Sequence, residues 1–149
     1  MIEVRQTLSV RQSPEAVFAF WGDHSNNPQW QNGQRSCTWT SAPPIGVGST
    51  YDQEAGFMGR SIVSTFECVE FDENRRIRMV TTKSTMPLDI TRFVEPAADG
   101  GTVLTAIIKG GPEGLARFFD PLMQRMVARN VRRDYERLAL LLESAFEGG

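Results

Sequence analysis

DPLMQRMVARNVRRDYERLALLLESAF, residues Asp120 to Phe146, reads as one long amphipathic helix, and the fold follows from what the rest of the chain offers it. Asp120 can accept the free amide protons of the first turn, and Pro121 at the first helical position gives up a donor that had no partner. Met123, Val127, Val131, Leu138, Leu142 and Ala145 recur at helical spacing with a break at Asp134, while Arg125, Arg129, Arg132, Glu136 and Glu143 take the other side. At about 1.5 Å per residue such a helix is roughly 40 Å long. A helix with one wide apolar face needs something to pack on, and the preceding chain supplies mainly strands. The expected architecture is an antiparallel sheet curled around this helix, with function in the space between them.

The strands are legible from alternation and turn chemistry. Ile2, Val4, Leu8 and Val10 alternate with Glu3, Arg5, Ser9 and Arg11. Ser13 as N-cap and Pro14 at the first position then open a short helix through Trp21, closed by Gly22-Asp23. Ser25 to Trp30 is a second short helix or turn anchored by its indole. Strands are expected at Arg35–Thr40, Ser49–Ala55, Ser61–Phe71, Arg76–Ser84, Leu88–Glu95 and Thr102–Lys109, joined mostly by short polar turns that favour antiparallel neighbours. Gly56 to Gly59 reads as a hairpin turn carrying Phe57 and Met58. With the N-terminal strand these make seven.

Composition narrows the function classes. A chain of 149 residues suits one domain spanning 1–149. A formal charge of −2 gives no electrostatic case for a nucleic-acid partner. No apolar run approaches the roughly 18 residues of a membrane span, and Met1-Ile2-Glu3-Val4-Arg5 lacks the apolar core of a signal peptide. Stable membrane insertion is therefore not expected, the expected location is cytoplasmic, and a homodimer is left open. Cys37 and Cys68 lack metal spacing and read as buried thiols. With one histidine and no cysteine cluster, no conventional zinc site is expected, carboxylates alone leaving open a harder cation. Gly110-Gly111-Pro112-Glu113-Gly114 is not a phosphate loop. No cofactor is expected.

The order of elements, together with Ser13-Pro14-Glu15-x-Val17-Phe18, Asp23 and Trp30, Gly46-x-Gly48, Glu67-x-Val69-Glu70 with Arg76, Gly101-Thr102, and the closing Leu138 and Glu143, resembles the START-like (SRPBCC) superfamily over nearly the whole chain. The residues are most similar to its bacterial polyketide cyclase/dehydrase-like group. The resemblance implies an α+β helix-grip fold: a seven-stranded curved antiparallel sheet wrapped around the C-terminal helix, with two short helices after the first strand. It also implies an apolar cavity for lipids, sterols, polyketides or other hydrophobic small molecules.

The residues themselves supply candidates for that space. Trp21, Trp30, Trp39, Tyr51, Phe57, Met58, Phe66, Met79, Phe93, Phe119, Met123 and Met126 offer aromatic and thioether surface to an apolar ligand or, equally, to a core. Asn130 and Asp134, one turn apart on the helix, either orient a polar end of a ligand or sit at the edge of the face and pair locally. Arg92, flanked by Ile90 and Val94, either points inward to hold a carboxylate or enolate oxygen or points outward into a salt bridge. His24, beside Asp23, is read as a solvent-exposed loop residue, with general acid–base work as the alternative. The arginines Arg125, Arg129, Arg132, Arg133 and Arg137 are read as a solvated outer stripe. Three functions remain: a binding or carrier protein for a hydrophobic small molecule, a polyketide cyclase, dehydratase or aromatase in which Arg92, Asn130, Asp134 or Tyr51 assists, and an interaction module whose cavity is collapsed.

Overall fold

The computed structural model describes residues 2–57, 59–110 and 121–148. Seven strands, β1 (Ile2–Val10), β2 (Gln34–Trp39), β3 (Thr50–Phe57), β4 (Arg60–Asp72), β5 (Arg76–Lys83), β6 (Leu88–Pro96) and β7 (Thr102–Gly110), form one antiparallel sheet in the order β1-β7-β6-β5-β4-β3-β2. Helix α1 (Pro14–Trp21) and a short 3₁₀ helix (His24–Gln29) follow β1, and the long helix α2 (Pro121–Gly148) ends the chain. The sheet curls into a half-barrel around α2, the helix-grip architecture. Strand boundaries differ from the sequence expectation by two residues or fewer, Phe57 belonging to β3 rather than to the turn. Asp120, the expected cap of α2, and Met58 lie outside the described residues.

Local chemistry explains the elements. Ser13 caps α1, its hydroxyl accepting the Ala16 amide at 3.3 Å, and Pro14 fills the first turn where no donor is needed. Asn74 turns β4 into β5 with φ of 62°, a left-handed conformation that asparagine tolerates. Arg35, Val69 and Thr82 are each extra residues in their ladders. Such bulges bend a strand and increase its twist, which is how an otherwise flat meander curls.

Alternation then decides the concave face. Val4, Val10, Leu104, Ala106, Val94, Ile77, Met79, Cys68, Phe66, Tyr51 and Cys37 are buried there. Against them α2 lays Tyr135, Leu138 and Leu142, with Val131 packed at the margin. Tyr135 carries the apolar stripe through the break at Asp134, so the face runs 131, 135, 138, 142 at spacings of four, three and four. Ala145, expected on this face, is exposed.

Helix α2 is tied to both sides of the sheet. At β1, the Gln124 side chain donates to the Glu3 carbonyl at 2.7 Å, Gln12 donates to the Leu142 carbonyl, and Arg11 pairs with Glu143. On the side of β2, Asp134 accepts the Asn32 amide at 3.1 Å, and Arg137 donates to the Trp30 carbonyl at 3.0 Å while pairing with Asp134. These contacts hold the segment that delivers Trp30 to the core. Among the described residues, no helix is long and apolar enough to cross a membrane.

Candidate functional site

Arg92 points inward. It stands opposite Ile77 on β5 and Ala106 on β7, both fully buried, and is itself only 1% exposed. Among the described residues it has no carboxylate partner within ion-pair distance. Burying a charge in this way is costly unless other groups replace water around it. Three neutral devices do so. One terminal nitrogen donates to the Trp21 carbonyl at 2.7 Å, an acceptor at the end of α1 that the helix leaves free and where the helix dipole favours a cation. The guanidinium also faces the Trp21 and Trp30 rings, 5.6 and 5.3 Å from their centroids. Tyr135 closes the set, edge-on to both indoles and accepting the Trp21 ring N–H at 3.2 Å. Burial pushes the Tyr135 phenol up, against the opposing influence of Arg92.

Among the described residues, Arg92 Nε nevertheless has no hydrogen-bond partner, and the same holds for His24 Nε2, Asn27 Oδ1 and Tyr51 Oη, all buried. Buried polar groups are normally satisfied, so several unpaired together mark a place where a water or a ligand atom belongs. His24 and Asn27 are three apart in a 3₁₀ helix, a spacing that aligns their side chains on one side. His24 lies against Tyr51 with ring centroids 5.3 Å apart, and Tyr51 stacks on Phe66 at 4.8 Å while meeting Trp39 edge-on at 5.5 Å.

Electrostatics tie the group together. Burial, then the nearby Arg92 charge, lower His24 well below its ordinary range, so the ring is neutral. Burial pushes the Tyr51 phenol up, and the Cys37 thiol up to about 12, with Arg92 opposing both. Asp23 borders this group, and its charge also raises the Cys37 thiol. Its carboxylate caps the 3₁₀ helix, accepting the Ser25 amide at 3.0 Å and the Trp39 ring N–H at 2.8 Å.

The structure thus brings together Trp21, Trp30, Trp39, Tyr51, Phe66 and Arg92 from the sequence candidates, with Met79 buried in the same core. It separates others. Phe93 follows Arg92 directly, and successive strand residues take opposite faces, so Phe93 lies on the outer side opposite Thr105 and Arg76. Asn130 is exposed, and Met126 is 38% exposed. Asp134 is half-buried and engaged by Asn32 and Arg137; burial raises its pKa, partly offset by those two partners. Phe119 lies outside the described residues, as do the side chains of Met123 and Phe57.

His24 corrects the reading of an exposed loop residue: it is fully buried. The polar Ser25-Asn26-Asn27 run hid it, although His24, Asn27 and Trp30 recur every third residue, the period of a 3₁₀ helix. Tyr135 was concealed beside Asp134 in the same way. Hollows among the described residues also lie outside the core. One, of about 200 Å³, is lined by Arg76, Arg78, Asp89 and Lys109 among others. Another is an open groove of about 580 Å³ between β1 and α2, where Arg125, Arg129 and Arg132 of the helix stripe face Val4 and Arg5.

A curled seven-stranded sheet gripping a terminal helix, with an interior rich in aromatic side chains, defines the helix-grip class of fold. Residues 1–143 match the model of the family described as polyketide cyclase/dehydrase and lipid transport, and the chain belongs to that family. Among solved structures, a START superfamily protein from Mycobacterium smegmatis is similar at 16% identity, covering 97% of this chain and 99% of that one, with a TM-score of 0.81. A protein from Thermus thermophilus is similar at 18% identity, 96% and 98% coverage and a TM-score of 0.78. A major latex-like protein from Panax ginseng shares the fold at 11% identity, 94% and 96% coverage and a TM-score of 0.67. No curated protein matches the sequence.

Proposed function

We propose that this protein binds a hydrophobic small molecule between sheet and helix, with a carboxylate or other electron-rich oxygen of the ligand received at Arg92. The observation that carries this reading is the buried guanidinium, which keeps an unpaired Nε and has no counter-ion among the described residues. A cation held in an apolar shell favours an anion there far more than water does, because the interaction is little screened. The family description names both cyclase/dehydrase and lipid-transport roles, which supports an apolar ligand. The Trp21 and Trp30 rings lie over the guanidinium, and Tyr135 packs edge-on against both. Binding is therefore coupled to movement of Trp30 or Tyr135, the rings between Arg92 and α2.

Equilibrium titration with cis-parinaric acid and with its methyl ester tests this. The acid should bind at least about tenfold more tightly than the ester, as expected for a hydrogen bond to a charged group. That preference should disappear in Arg92→Met. Equal binding of acid and ester by the unaltered protein, or binding of neither, overturns the reading.

A further inference from the structure

We infer that His24 is a proton-accepting catalytic residue, and that the interior removes a proton from the carbon next to a ketone carbonyl whose oxygen is held by Arg92 and Tyr51. The inference rests on the proposed binding mode for placing the ligand, and goes beyond it by assigning chemistry. Its starting point is a tautomer. His24 Nδ1 lies 3.3 Å from the Gly22 carbonyl oxygen, which can only accept, so Nδ1 carries the ring proton. In a neutral imidazole the other nitrogen then holds a lone pair. That nitrogen, Nε2, is buried and has no hydrogen-bond partner among the described residues.

Among the described residues, an unpaired base, an unpaired phenol hydroxyl and a cation without a counter-ion stand here: a base for the C–H proton and two groups for the charge that develops on oxygen. Tyr51 Oη and Arg92 Nε supply the last two, with the Tyr51 ring 5.3 Å from that of His24. The step balances as written. Nε2 takes the proton, the C–H electron pair becomes the new carbon–carbon double bond, and the carbonyl π pair moves onto oxygen. A neutral ketone and a neutral imidazole become an enolate and an imidazolium, and the enolate charge lies against Arg92 and the Tyr51 hydroxyl. Return of that proton to the carbon, or of a deuteron once the imidazolium has exchanged with D2O, restores both partners, and no oxidant or co-reactant is consumed. The substrate class is a compact, apolar ketone.

The probe is β-tetralone, a bicyclic ketone, incubated in D2O with the full chain. Deuterium uptake beside the carbonyl is followed by proton NMR, and binding by tryptophan fluorescence. The protein should accelerate uptake about a hundredfold or more over buffer. His24→Asn keeps a donor for the Gly22 carbonyl and removes the base, so it should bind the ketone within twofold while losing the acceleration. Tyr51→Phe gives a second arm should His24→Asn not fold: uptake should fall about a hundredfold, well beyond the few-fold loss of affinity expected for one neutral hydrogen bond. Bound ketone exchanging no faster than in buffer, or either variant exchanging like the unaltered protein, overturns the inference. So does failure to bind β-tetralone by protein that binds cis-parinaric acid. Failure to bind either probe overturns the binding mode as well.

Discussion

Arg92 and His24 show how much one side chain's surroundings decide. Each would be an ordinary polar residue at the surface. In the core, the first is kept charged by two indole faces and a helix-end carbonyl, and the second is kept neutral by burial and by that charge. The second effect is measurable through stability. His24 is the only histidine, with an ordinary pKa of 6.5 and a folded value well below it. As pH falls past about 6.5 the unfolded chain binds a proton that the folded protein refuses, so stability is lost on acidification and is fully present above that range. Urea unfolding between pH 7 and pH 5 should show a slope approaching about 1.4 kcal/mol per pH unit. His24→Asn should flatten it, and an equal slope in both proteins would place the titrating group elsewhere.

At the scale of elements, the close approach of β1 and the β6–β7 turn shows what glycine and threonine do at an edge. A side-chain carbon added at Gly101 would overlap the Val10 carbonyl oxygen, and the Thr102 hydroxyl donates to the Gln12 carbonyl at 2.7 Å. Gly101→Ala must push β1 outward, and with it the Arg11 and Gln12 contacts to α2. It should cost about 1 to 3 kcal/mol in urea unfolding, the range for overpacking a fitted site. An unchanged midpoint would mean that this edge yields freely. Helix α1 plays the complementary part. Its cap and its proline set where it starts, and its last carbonyl then falls where Arg92 can reach it.

Across the whole molecule, α2 bridges the two sides of the sheet and covers the aromatic interior. Tyr135 meets Trp21 and Trp30 directly beneath it. A ligand that occupies this space in the folded state alone must stabilise the fold by mass action. At a hundredfold excess over its dissociation constant, cis-parinaric acid should add about 2.7 kcal/mol to the free energy of unfolding. Arg92→Met should gain less at the same concentration, because its site is less saturated. No gain in the unaltered protein at a concentration that saturates its fluorescence signal would show binding to the unfolded chain or to a surface.

The sequence by itself determined the elements, their antiparallel order and the helix-grip architecture, because period-two alternation, turn residues and a long apolar stripe are local signals repeated along many residues. It also marked Tyr51, Trp30 and Arg92 as candidates, but it left the direction of Arg92 open, since a strand that slips by one residue exchanges its faces. Only the tertiary structure decided that direction, and with it excluded Phe93 from the same face. It also showed His24, Asn27 and Tyr135 inside, where local polarity had disguised them. Burial of a polar side chain depends on which distant strand or helix covers it. For His24 that cover includes Tyr51 on β3, a contact that the run of residues around it does not encode.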